Sequence, residues 1–183
     1  MKPIADKVEV EQLRSLLNKM MTRSKDEWDD LNPSWIESQG WIVVPVESMA
    51  RIPPADIPRL VAAFSDAGYR EALVLATEPL GDLPVCYRLR IDEADLIALN
   101  RQLGPFRFLV TPADGSWAIA CTEWYNLFAA RPPLLEAILG SPIAQARQQF
   151  LEFVMTLAHD DPDYPLLLLA ARYAKTDASK GLS

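Results

Sequence analysis

The sequence predicts an α+β fold: an antiparallel, meander-containing sheet packed with helices from the N- and C-terminal segments. Three observations point there. Apolar residues recur at helical spacing over residues 6–22 and again from residue 132 onward. The middle of the chain instead carries short runs that alternate at period two or are apolar throughout. Strands and helices do not alternate strictly, which argues against a parallel βαβ sheet.

Taken in order, Val10, Leu13, Leu17 and Met20 lie one helical turn apart, with Leu16 and Met21 beside them, so residues 6–22 read as an amphipathic helix. "SKDE" (24–27) is a capping-box pattern, Ser24 with Glu27 three positions on, and predicts a second short helix ending before Pro33. "GWIVVPV" (40–46) reads as a strand, and Pro45 assigns it to an edge or a strand end. Residues 53–68 open on prolines, repeat Ile57, Leu60, Val61 and Phe64, and close on Gly68, the signature of a helix with its C-terminal glycine. "EALVLAT" (71–77) is a buried strand and "VCYRLRI" (85–91) an alternating one, with Arg88 and Arg90 on the same face. Asp92 caps a helix to Leu103. "FRFLV" and "WAIAC" form a hairpin around Asp114-Gly115, and "WYNLFAA" continues the sheet. Three helices follow: "PPLLEAILG"; the segment from Ser141, striped with Ile143, Ala146, Phe150, Val154 and Leu157; and "LLLLAARYA". Residues 1–175 are expected to form one domain and 176–183 a flexible polar tail.

The composition bounds the chemistry. Half of the 183 residues are hydrophobic, enough for a substantial core. A net charge of −7, with no basic patch, disfavours binding to nucleic acid or to an anionic membrane surface. No run approaches the length of a membrane span; "PLLLLAA" is the longest apolar stretch. The first residues lack the apolar core of a signal peptide, so a cytoplasmic setting is expected. Two cysteines and one histidine cannot supply the four ligands of a structural zinc site. The scattered glycines form neither GxGxxG nor GxxxxGK[ST], and GxSxG and HExxH are absent. No cofactor and no metal is expected.

Four candidate sites remain. Cys121 is a nucleophile only if a cation or histidine activates it; His159, beside Asp160 and Asp161, is the sole histidine. Its strand register places it with Trp117 and Ile119, which favours a packed core thiol. "HDDPDYP" lacks the glycine and distal glutamate of a calcium loop and reads as an acidic connection. Arg88 and Arg90 could grip a small anion, or could cover the wet face of the sheet paired with carboxylates. "DEWDDLNPSWIES" gathers acids around Trp28 and Trp35, and this is the strongest interaction signal: Trp28, Asp29, Asp30 and Trp35 would meet a basic protein partner.

Residues 106–140 resemble a strand–turn–"W-A-[IL]"–strand–helix pattern of small bacterial toxin-immunity-type and related uncharacterised α+β proteins. Asp114, Gly115, Trp117, Ala118, Ile119, the strand Tyr125 to Ala129 and the helix Leu134 to Gly140 carry the likeness. It implies a non-enzymatic protein that blocks a partner through an acidic surface, without a cofactor. The expectation is therefore a cytoplasmic interaction protein, in which homo-oligomer formation is possible. The alternatives are a small hydrolase or transferase using Cys121 or carboxylates, and an anion-binding regulatory domain using Arg88 and Arg90.

Overall fold

The computed structural model describes residues 1–23, 29–48, 51–158 and 164–174. After a two-residue strand, β1 (Lys2–Pro3), Asp6 opens α1 (Lys7–Met20) by accepting the Glu9 backbone N–H at 2.8 Å, which satisfies one of the donors that a helix start leaves free. The chain then becomes extended. Met21–Arg23 (β2) pairs antiparallel with Asp29–Leu31 (β3), Met21 opposite Leu31.

This corrects the helix expected from Ser24 to Pro33. Ser24 to Glu27 lie outside the described residues, but Asp29–Leu31 is strand, and the helix α2 (Pro33–Gln39) begins only after it. Proline explains the late start: it disfavours helical backbone in the residue before it and suits the first turn of a helix that follows. Asn32 caps that helix, accepting the Ser34 N–H at 3.0 Å.

The central elements fall where the patterns put them. They are β4 (Ile42–Glu47), a 3-10 turn at Pro54–Asp56, α3 (Ile57–Asp66), β5 (Glu71–Ala76), β6 (Cys86–Arg90) and α4 (Glu93–Leu103). Asp92 caps α4 through the Asp95 N–H at 2.8 Å. Then come β7 (Phe108–Thr111), β8 (Ala118–Cys121), β9 (Tyr125–Ala130), α5 (Pro132–Leu139), α6 (Ile143–Ala158) and α7 (Pro165–Ala174). The tail 176–183 lies outside the described residues.

Seven strands form one antiparallel sheet in the order β1-β6-β5-β7-β8-β9-β4, and the fold is α+β. Both faces are covered. Alternate residues such as Val74, Val110, Ile119 and Phe128 meet α3, α4 and α5 on one side. Their neighbours Leu75, Leu109, Ala120 and Leu127 meet α1, α2, α6 and α7 on the other. Burial on both faces explains why β9 is apolar with little alternation: all six of its residues are buried. Pro45 sits in β4, at the sheet edge, where its missing N–H costs no ladder bond. Helix α6 wraps that edge. Its Ile143 and Ala146 belong to one core layer, its Phe150 and Val154 to the other, and Arg147 donates to the Val43 carbonyl at 3.3 Å. Covering an edge in this way blocks pairing with another chain. Leu157, expected on the same apolar stripe, is exposed instead.

Candidate functional site

Cys121 ends β8 with its thiol in the core layer beneath α3, α4 and α5, on the same sheet face as Trp117 and Ile119. The residue is 2% exposed, and burial pushes the thiol far above its ordinary range. A thiolate in that setting has neither a stabilising charge nor access to substrate. At the other end of β8, Phe64 stacks on Trp117 at 4.1 Å and Tyr69 meets it edge-on at 5.9 Å. His159, Asp160 and Asp161 lie outside the described residues. Among the described residues no group of three His, Cys, Asp or Glu stands close enough to hold a metal ion.

Arg88 and Arg90 project from the same face of β6, as the alternation requires, but each meets its own carboxylate. Arg88 pairs with Glu9 on α1, fastening that helix across the sheet. Arg90 reaches Asp95 with Nε at 3.4 Å and Nη2 at 3.3 Å, and approaches Asp92 at 3.5 Å. Asp95 is buried and also receives the Met1 ammonium at 2.6 Å. Burial alone would raise its pKa; the hydrogen bonds from Met1 and Arg90 outweigh that and bring it down to about 2. The two arginines thus act as separate fasteners.

Of the acidic, tryptophan-bearing segment, the described Asp30 and Trp35 turn toward the rest of the molecule. Trp28 lies outside the described residues, and Asp29 is placed only as the β3 residue opposite Arg23. Asp30 is turned inward and is 4% exposed. It accepts the Leu31 N–H at 2.8 Å, the Tyr173 hydroxyl and the Arg172 guanidinium, so it ties the β2–β3 hairpin to α7. Burial and the Asp30 carboxylate together push the Tyr173 phenol far upward, keeping it a donor. Trp35 is half-buried on α2, with its indole N–H shut away from solvent, and its ring lies against Gly115 in the β7–β8 turn. Asp30 and Trp35 therefore serve internal packing, because a short hairpin and a two-turn helix can be held only by contacts to the rest of the molecule.

A surface feature absent from the sequence reading lies between α6 and α7. A groove of about 540 Å³ is lined by Pro45, Arg147 and Gln148 and, for the rest, by leucine, alanine and phenylalanine side chains of the two helices. Leu168 is 54% exposed at the groove, and Leu151 and Met155 stand exposed one turn apart on α6. Gln148 donates to Glu152 at 2.9 Å, which puts a carboxylate on the rim. Two signals were available. Leu151 and Met155 are apolar, four apart and off the Phe150–Val154 stripe; and four leucines in a row at 166–169 cannot all share one helical face. Leu166, Leu169 and Tyr173 take the buried face, which leaves Leu168 outside. Trp124, at the β8–β9 turn, is the exposed tryptophan among the described residues, at 46%.

No helix among the described residues is long and apolar enough to cross a membrane. No family model, no curated protein and no solved structure matches the chain.

Proposed function

We propose that the protein is a non-enzymatic interaction protein that receives the apolar face of a partner's basic amphipathic helix in the groove between α6 and α7. The exposed apolar groove carries this reading. Leu151 and Leu168 line it exposed, Met155 stands exposed beside Leu151 on α6, and a helix laid in the groove would take them out of water. The net charge of −7 and the Glu152 carboxylate at the rim favour lysine or arginine beside the partner's apolar positions, where opposite charge speeds encounter and sets orientation. Relative to the expected surface at Trp28, Asp29, Asp30 and Trp35, the contact moves to the opposite terminal helices. An immunity-type role, implied by the likeness of residues 106–140, is one form of such a binder. The two buried free thiols, Cys86 and Cys121, suit a reducing, cytoplasmic setting.

The test is site-specific photocrosslinking. A photoreactive residue at Met155 should trap a protein partner in cells, and mapping should place the link on a basic amphipathic helix. The Leu168→Glu variant should lose that link while keeping the wild-type circular dichroism. A link that survives Leu168→Glu, or one that joins two copies of this chain, overturns the reading; the latter would make the groove a homo-oligomer interface.

A further inference from the structure

The turn that joins β7 to β8 carries the one Asp-Gly step of the chain, Asp114-Gly115, and Asn-Gly does not occur. An aspartate before glycine is open to attack by its own main chain, because glycine has no Cβ to crowd the attacking nitrogen. The Gly115 nitrogen adds to Cγ of Asp114, a C–N bond forms, and one water leaves, carrying the nitrogen's proton and a carboxyl oxygen. A second water then opens the five-membered imide. Cleavage between the nitrogen and the main-chain carbonyl leaves the chain running through Cγ as isoaspartate, one carbon longer. Cleavage of the new bond restores aspartate. One water is released and one taken up, so no other reactant is needed.

Asp114 is exposed, so water reaches it, but both reacting groups are engaged. The Gly115 N–H donates to the Pro112 carbonyl at 3.0 Å, and Gly115 itself, buried at φ +63°, lies against the Trp35 ring. Oδ1 of Asp114 accepts the Ser116 N–H at 3.1 Å and the Ser116 hydroxyl at 2.7 Å. Because the Ser116 proton goes to Asp114, the Tyr69 hydroxyl 2.7 Å away donates to Ser116 Oγ. The Ser116 carbonyl accepts the Trp41 indole N–H at 3.0 Å. An aspartate that bonds the backbone two residues on is a common turn device. Here the residue it bonds is itself anchored, by Trp41 ahead of β4 and by Tyr69 beyond α3. Ring closure requires the Gly115 nitrogen to leave Pro112 and the Asp114 carboxyl to leave Ser116, and rotation of the peptide between them draws Gly115 away from Trp35.

We propose that Asp114-Gly115 is a site of spontaneous backbone isomerisation that the folded turn holds closed, with Ser116 as the positioning residue that closes it. The added main-chain carbon would part Gly115 from Pro112 and from Trp35, and so loosen the seat of α2. This site is independent of the α6–α7 groove.

The experiment is peptide mapping by mass spectrometry, following isoaspartate at Asp114 during incubation at neutral pH. Native wild type should accumulate it at least about tenfold more slowly than the chain held unfolded in urea, because only the opened turn reacts. Ser116→Ala, folded by circular dichroism, should react about threefold to tenfold faster than native wild type, the worth of one hydrogen bond. Tyr69→Phe, which keeps the ring and removes the hydroxyl, should also react faster. Asn100→Ala deletes the two bonds to Ile52, at 3.0 and 2.7 Å, away from this turn, and should react as slowly as wild type. Isoaspartate forming in native wild type at the unfolded rate, or an unchanged rate in both Ser116→Ala and Tyr69→Phe, would overturn the proposal. So would an Asn100→Ala acceleration equal to theirs, which would make general stability the cause.

Discussion

Replacing Asp30 by alanine separates a structural role from a surface role. The carboxylate accepts three donors, of which two are buried: the Leu31 N–H at 2.8 Å and the hydroxyl of Tyr173, itself 4% exposed. The third, Arg172, has a side chain 55% exposed and can turn to water. Leaving a buried donor unmet costs about 1–3 kcal/mol, and partial relaxation is available to both, so Asp30→Ala should cost about 2–4 kcal/mol. Arg172→Ala removes only an exposed pair and should cost less than about 1 kcal/mol. Tyr173→Phe removes one donor together with its need for an acceptor and should cost about 1–2 kcal/mol. Because Asp30 and Tyr173 share a bond, the double variant Asp30→Ala/Tyr173→Phe should cost less than the sum of the singles by about 1 kcal/mol. Urea unfolding followed by circular dichroism, with an unchanged m-value, measures these differences. At about 2–4 °C per kcal/mol for a chain of this size, Asp30→Ala should also melt about 5–15 °C lower. An Asp30→Ala cost within about 0.5 kcal/mol of zero, or one smaller than that of Arg172→Ala, would refute the network and return Asp30 to the surface.

Further outcomes follow from the same contacts. Asp95 is held at about 2 in the folded state, below the ordinary value near 3.9, so its contribution is present above that ordinary value and is lost as pH falls through the folded one. The stability difference between wild type and Asp95→Asn should therefore shrink by about 1–2 kcal/mol from about pH 5 to about pH 2, screening having been allowed for; a difference flat with pH would contradict the pairing. Gly115 has φ +63°, and a Cβ there would lie 3.0 Å from the Trp35 ring, so Gly115→Ala should cost about 1–2 kcal/mol in the same urea assay. Cys86 and Cys121 are each 2% exposed, and neither should react with an aromatic disulfide reagent until the protein unfolds; rapid native labelling of Cys121 would reopen the nucleophile reading. Cys121→Ser places a hydroxyl in the aromatic layer and should cost about 1–3 kcal/mol.

Much of the fold was legible because its signals are local. A start signal and a period coincide in α3 and α4, where the prolines before Ile57 and Asp92 mark the first turn. Pro45 narrowed its strand to an edge or a strand end, since a residue without an N–H cannot sit inside a ladder, and the sheet order selects the edge. The Asp114-Gly115 turn announced the β7–β8 hairpin. Asp29–Leu31 shows the limit: a helix expected to run up to Pro33 is strand there. Met21 and Leu31 pair across a connection that carries no period at all, and what selects the strand is the burial of Leu31 and the Asp30–Tyr173 bond, 143 residues apart in sequence.

The sites divide along the same line. Period-two alternation determined that Arg88 and Arg90 share a face of β6, and the run Trp117, Ile119, Cys121 determined that the thiol points with the apolar side chains. Whether those arginines are free could not be read from the strand, because Glu9 reaches Arg88 only when α1 lies across β6. The sequence by itself determined most element types, though not the strand at Asp29–Leu31, and the core side of Cys121, since each follows from backbone geometry within a few residues. Only the tertiary structure decided the strand order, the inward turn of Asp30, the wrapping of β4 by α6 and the open groove beside α7. Each of those depends on which distant surface arrives to cover a side chain, and short-range patterns carry no record of that.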